Sequence, residues 1–80
     1  MSRKLPLVVV EYLDITGRTP WVDKSQLDQD HALTCRLVGW KYKQTKDELI
    51  LVSHVGVDSD DYADRHVIPR GCIRSIRQLE

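Results

Sequence analysis

The chain has 80 residues, of which 41% are hydrophobic, and its twelve basic side chains are balanced by twelve acidic ones. This length predicts a single small domain over residues 1–80 that buries only roughly 60% of the surface of its unfolded chain, so self-association is expected to enlarge the core. A net charge of zero excludes the strong positive field that marks a nucleic-acid-binding protein by composition alone, and any such binding is expected to be local.

The first third of the chain predicts one strand, a turn and a short helical segment. Residues 5–14 are rich in β-branched side chains and too short for a typical helix, which predicts the first strand. Residues 15–20 contain glycine and proline and predict a turn. An aspartate at the start of residues 23–29 is suited to capping a brief helical turn there. We expect Trp21 and Val22 to close one end of the core.

Residues 33–43 alternate in the manner of a second strand. Apolar side chains at odd positions up to Leu37 share one face, whereas beyond Gly39 the large apolar residues are Trp40 and Tyr42, at even positions. A glycine at such a change of parity predicts a bulge or a sharp bend, because a residue without Cβ accepts the distorted backbone at low cost. We therefore expect Trp40 and Tyr42 to point inward beyond the bend.

The second half of the chain predicts three further strands. Residues 44–47 form a polar turn, and residues 48–57 contain a central apolar run typical of a strand buried on both faces. Residues 58–64 are predicted as an acidic loop, and the strand over 65–69 must end at its proline or lie at an edge. A 3₁₀ turn and a last strand within residues 72–79 complete an all-β fold, a small five-stranded closed or half-closed barrel.

The side chains that suit catalysis or metal binding form no recognisable motif. Cys35 and Cys72 have no histidine or cysteine nearby at ligand spacing, which predicts two buried thiols in a reducing, cytoplasmic compartment. Ser53 and His54 are adjacent strand residues and point to opposite faces, so they are not expected to act as nucleophile and base. The acidic loop has Ala63 where a calcium-binding loop of the EF-hand type needs glycine. We predict no enzyme, no metal, no cofactor and no membrane segment.

Two stretches resemble the signatures of Sm-like proteins, which are small barrels of the SH3-like class. Residues 35–51 resemble the first signature, with Gly39 early in the second strand and Asp47 at the following turn. Residues 67–76 resemble the second signature, in which an Arg-Gly turn, here Arg70 and Gly71, joins two short hydrophobic strands. The chain is also similar to short Sm-like or SH3-like proteins that bacteriophages and prophages encode.

The resemblance implies a protein that assembles into a homo-oligomeric ring and holds nucleic acid or a nucleotide at the Arg-Gly turn. Basic residues near Trp40 and Tyr42 also suit contact with a phosphate backbone. Leu51, however, stands where Sm proteins carry an asparagine that helps to hold an RNA base. The predicted nucleic-acid-binding residues are Arg70, Gly71, Asp47, Lys41, Lys43 and Arg74.

Two other functions fit the same sequence. The barrel would dock a protein partner along an edge strand or an aromatic groove, as a monomer or a dimer with weak salt dependence. The phage resemblance also suggests a ring that sequesters a small nucleotide signal.

Overall fold

The computed structural model describes residues 4–15 and 20–79, which fold into a mostly β structure. These residues contain five strands, one short helix and one 3₁₀ turn, as the sequence predicted. The elements are β1 (Leu7–Asp14), α1 (Lys24–Leu27), β2 (Leu33–Gln44), β3 (Glu48–Val55), β4 (Tyr62–Pro69), a 3₁₀ turn (Arg70–Cys72) and β5 (Ile73–Gln78). The predicted all-β fold is confirmed, including the 3₁₀ turn before the last strand.

The five strands form one antiparallel sheet in the order β4-β3-β2-β1-β5. The chain-end strand β5 returns beside β1, and the outer strands β4 and β5 do not pair with each other within the described residues. The sheet is therefore open and has two edges. Of the two predicted alternatives, the fully closed barrel is not formed.

Strand β2 changes partner near its middle, at the predicted glycine. Its first part pairs with β1 as far as Trp40, and its second part pairs with β3 from Trp40 onward. A Cβ on Gly39 would lie 3.0 Å from the carbonyl oxygen of Val52, a contact so tight that β3 would have to shift by a few tenths of an ångström. The bulge itself lies later, between Lys41 and Lys43, where Tyr42 is the extra residue.

The core lies on the concave face of the curled sheet. Its centre consists of Val8, Val10, Leu49, Leu51 and Ile68, and half-buried side chains of β2, the 3₁₀ turn and β5 pack against it. Adjacent residues Leu51 and Val52 point to opposite faces and are both buried, which confirms the predicted two-sided burial of β3.

Three expectations about burial and boundaries are wrong. Trp21 and Val22 do not close the core, because Trp21 is 101% exposed and no residue of α1 is buried. Tyr42 is 42% exposed and lies edge-on to the ring of Tyr62, with 5.4 Å between centroids. The predicted loop over residues 58–64 is shorter, since β4 already begins at Tyr62. In residues 4–15 and 20–79, no helix is long and apolar enough to cross a membrane.

Candidate nucleic-acid interface

The turn between β2 and β3 is built around one threonine. The backbone N–H of Thr45 donates to the carbonyl of Glu48 at 2.9 Å. Its hydroxyl oxygen accepts from the N–H groups of Asp47 and Glu48 at 3.2 and 3.1 Å. A side-chain hydroxyl that accepts hydrogen bonds from the backbone N–H groups two and three residues later fixes a tight turn. It does so because those N–H groups have no partner in the strand ladder. The position of Asp47 is therefore well defined.

The Arg-Gly turn lies directly against this β2–β3 turn. Strand pairing places Pro69 opposite Glu48, and the N–H of Arg70 then donates to the carbonyl oxygen of Asp47 at 2.8 Å. Proline, which has no N–H, occupies the end of the ladder, where it also ends the strand. The hydrogen bond thus brings the Arg-Gly turn against Asp47, although 23 positions separate Asp47 from Arg70.

Gly71 leaves open space beside this junction. No atom lies within 4 Å of the point that its Cβ would occupy, and its φ is not positive. The glycine is therefore required neither by a close contact nor by a left-handed backbone. Its effect is to keep the exposed backbone beside Arg70 uncovered.

The two lysines of β2 occupy different places. Lys43 is exposed and pairs with Ile50, close to the β2–β3 turn. Lys41 lies nearer the start of β1, because its N–H donates to the carbonyl of Pro6 at 2.8 Å. Its ammonium group donates to the side chain of Gln44 at 3.4 Å. Lys43 is therefore the lysine of this pair that belongs with Asp47 and Arg70.

Arg74 lies on the other edge strand. It is the extra residue in an irregularity of β5, where Glu11 pairs with Ser75 and Tyr12 pairs with Ile73. Its side chain is exposed. The hydrogen bond joins Arg70 to Asp47, and Lys43 lies four residues before Asp47 on β2. We name Arg70, Gly71, Asp47 and Lys43 the turn surface, and Lys41 and Arg74 lie outside it.

Charge is distributed unevenly along the chain, which the net value of zero conceals. Residues 14–30 and 58–64 contain eight of the twelve acidic residues and two of the twelve basic ones. The described residues of these segments lie at the ends of β1 and β3, opposite the β2–β3 turn. Everything else, including the turn surface, has ten basic and four acidic residues. Sequence reasoning missed this separation because it summed charge over the whole chain, whereas a regional count would have found it.

The remaining polar contacts form separate pairs. The Ser53 hydroxyl lies 3.3 Å from Nε2 of His66, and Nδ1 of His54 lies 2.9 Å from a carboxylate oxygen of Asp64. Ser53 and His54 therefore have different partners on adjacent strand β4, as their opposite directions require. Asp64 adopts a φ of 57°, a left-handed conformation that aspartate tolerates better than most residues. Across the described ranges, no three His, Cys, Asp or Glu side chains are grouped to hold a metal ion.

Comparison of the chain with protein-family models, curated proteins and solved structures finds no match. The likeness to Sm-like and bacteriophage proteins therefore rests on the two sequence stretches alone and stays a prediction.

Proposed function

We propose that the chain is a non-catalytic binding module that self-assembles and contacts nucleic acid or a nucleotide through the turn surface. The observation that carries the proposal is the hydrogen bond from Arg70 to Asp47, which joins two turns distant in sequence. It holds an exposed arginine and uncovered glycine backbone at the β2–β3 end of the sheet, and the exposed Lys43 lies close to that turn on β2. Arginine and backbone N–H groups are the usual partners of phosphate oxygens.

The open sheet supports self-assembly. Strands β4 and β5 each present unpaired backbone groups, and such edges are templates for pairing with another chain. Antiparallel pairing of β4 with β5 of a second copy brings the acidic start of β4, at Asp64, toward Arg77 at the end of β5. Opposite charges at the two edges favour this head-to-tail pairing, which closes into a ring when the rotation between copies permits.

Ligand binding is tested with fluorescently labelled single-stranded RNA, single-stranded DNA and a labelled nucleotide, by anisotropy at several salt concentrations. We expect binding that weakens steeply as salt rises, because phosphate contacts release counterions. Arg70→Ala is expected to reduce affinity at least tenfold. Lys24→Ala is the matched control, since Lys24 is an exposed basic residue on the acidic side, paired with Asp28 at 3.6 Å. Equal affinities of Arg70→Ala and the unaltered protein would contradict the proposed site.

Self-assembly is tested separately by light scattering. Val67 is an exposed residue of edge strand β4, so Val67→Asp places a charge beside the edge without opening the core. We expect the unaltered protein to be oligomeric and Val67→Asp to be smaller, with an unchanged circular dichroism spectrum. A monomeric unaltered protein that binds none of the three labelled probes would remove the proposal.

A second candidate function is a protein-interaction module. It is favoured by the contact of Tyr42 with Tyr62, which presents two aromatic rings on neighbouring parts of the sheet. Aromatic grooves of this kind hold extended peptides with little dependence on salt. Salt-insensitive binding that Tyr42→Ala abolishes and Arg70→Ala leaves intact would favour this candidate.

A further inference from the structure

The connection between β1 and β2 displays apolar side chains that nothing in the described chain covers. Residues 20–33, named here the arm, include four large apolar residues that are substantially exposed. Trp21 is 101% exposed and Leu27 is 61% exposed, and Val22 and Leu33 are exposed to about half. A fully exposed tryptophan leaves in water one of the largest apolar surfaces of any side chain. The arm is therefore a surface suited to a partner.

Local hydrogen bonds give the arm a defined shape. Asp23 caps α1 by accepting from the N–H of Gln26 at 2.9 Å, and the Gln26 side chain accepts from the N–H of Asp23 at 3.2 Å. This reciprocal pair is a capping box. An ion pair between Lys24 and Asp28, with 3.6 Å between its atoms, spans the following turn. Trp21 lies two residues before the capping Asp23.

The arm has a net negative charge, which favours a basic partner surface. The arm contains three aspartates, at positions 23, 28 and 30, and a single lysine. Contact between the arms of two copies would bring like charges together, which costs binding energy. A complementary surface is therefore apolar and basic.

Such a surface exists on the outer face of the same chain. A groove of about 360 Å³ on β5, β1 and β2 is lined by Val9, Glu11, Arg36, Ser75 and Arg77, and is named here the outer groove. Strand register places Arg77 and Val38 on either side of Val9. Val38 is 52% exposed, so the apolar floor continues beyond the groove. Arg36 is oriented by Glu11, whose carboxylate accepts from Nε at 3.2 Å.

We propose that Trp21 of one copy inserts into the outer groove of a second copy, and that the exchange is reciprocal. The indole ring would lie on Val9 beside the guanidinium groups of Arg36 and Arg77, an arrangement that adds cation–π attraction to apolar burial. The aspartates of the arm would face the same arginines. Charge complementarity thus favours the outer groove over a second arm.

Reciprocity follows from the position of the two surfaces. The arm and the outer groove both belong to the antiparallel pair β1–β2, with the groove on the middle of its strands and the arm in the connection between them. Two copies related by a two-fold axis therefore satisfy both surfaces at once and form a closed dimer. The two tryptophans supply roughly 300–500 Å² of buried surface. The buried area is extended by three further apolar side chains of each copy, Leu27, Val22 and Val38. This brings the total toward the roughly 1,200 Å² that a specific interface needs.

The test follows Trp21 by fluorescence and mass by light scattering over a dilution series. Trp40→Phe leaves Trp21 as the one tryptophan of the chain. We expect its emission to shift to the blue, and its quenching by acrylamide to fall, over the concentration range in which the mass doubles. Should Trp40→Phe not fold, the difference in quenching between the unaltered protein and Trp21→Ala gives the same information.

Two variants and one control locate the contact. Trp21→Ala is expected to abolish the concentration-dependent doubling of mass, and Arg36→Glu, on interior strand β2, to raise the dissociation constant of the dimer at least tenfold. Lys46→Glu is the matched control, because Lys46 is an exposed basic residue of the β2–β3 turn, outside the outer groove and outside both edge strands. A Trp21 that stays accessible to acrylamide at every concentration would overturn the inference, as would a doubling of mass that persists when Trp21→Ala is combined with Val67→Asp, the variant that removes edge pairing.

The inference does not depend on the proposed function. Edge pairing uses backbone groups in the plane of the sheet, whereas the outer groove lies on its face. If Val67→Asp abolishes larger assemblies and the burial of Trp21 persists, the two contacts are distinct. Nucleic-acid binding that survives Trp21→Ala separates the turn surface from the arm in the same way.

Discussion

The curled sheet and the arm contain similar apolar residues and use them in opposite ways. Leu49 in β3 is 0% exposed, whereas Leu27 in α1 is 61% exposed. Both segments have regular backbone hydrogen bonds, so local structure alone does not distinguish them. What differs is tertiary packing, because every strand of the sheet contributes to one core and α1 contributes to none.

This difference shows where the stability of the domain originates. A helix of one turn is marginal in water without packing, so the capping box and the ion pair can shape the arm but do not hold the fold. Each leucine buried in the sheet contributes about 1.5–3 kcal/mol by leaving water. The sheet is therefore expected to fold without help from the arm, and the arm to depend on the sheet.

The largest expected effect comes from a matched pair of leucine truncations. Leu49→Ala removes a core side chain and is expected to lower the free energy of unfolding by about 2–5 kcal/mol, through lost burial and the cavity left behind. Leu27→Ala is expected to change it by less than about 0.5 kcal/mol at low protein concentration. Urea denaturation followed by circular dichroism measures both. Similar losses for the two variants would show that the arm belongs to the core.

A second matched pair concerns the two glycines of the proposed signatures. Gly39→Ala forces a Cβ to within 3.0 Å of the Val52 carbonyl, and β2 and β3 must move apart. We expect a loss of about 1–3 kcal/mol, as for other overpacked sites. Gly71→Ala meets no atom within 4 Å and is expected to be neutral or slightly stabilising, since alanine restricts the unfolded chain. Thermal unfolding compares the two, and equal shifts would remove the role assigned to Gly39.

The strands of the sheet were predictable because the pattern of apolar residues, alternating or continuous, reports which faces of a strand are buried. In β3, the run from Leu49 to Val52 has no polar break, and it is buried on both faces. At Gly39 the sequence predicted a bulge or a bend, whereas the structure has its bulge at Tyr42 and uses Gly39 for a close approach to Val52. The bulge at Tyr42 was not predictable, because its place depends on how β2 is registered against β3.

The arm and the turn surface show what sequence patterns leave undetermined. Hydrophobicity predicts that burial of Trp21 is favourable, but it does not say whether this chain or another supplies the cover. The contact of Arg70 with Asp47 was expected only from the Sm-like resemblance, since no local pattern links positions so far apart. The separation of acidic from basic residues could be found in the sequence, but only by counting the charges of each segment separately.

The smallest expected effect is a change at low pH that is confined to the arm and leaves the sheet unaltered. The carboxylate of Asp23 accepts from the N–H of Gln26 and also from the hydroxyl of Ser25, and these hydrogen bonds hold its pKa below the ordinary value of 3.8. Because the folded pKa is lowered, the cap stabilises α1 fully above the ordinary value. This stabilisation is lost as the pH falls through the lowered pKa of Asp23 in the folded protein.

We therefore expect the amide resonance of Gln26 to move toward its unfolded position during acidification, with a midpoint below 3.8, while amides of β3 remain in place. Asp23→Asn is the control, because asparagine caps a helix without titrating in this range. Two-dimensional NMR spectra over the titration measure both regions in one sample. If the β3 resonances shift with the same midpoint as Gln26, the arm and the sheet unfold as one unit, and the independence argued from their burial is wrong.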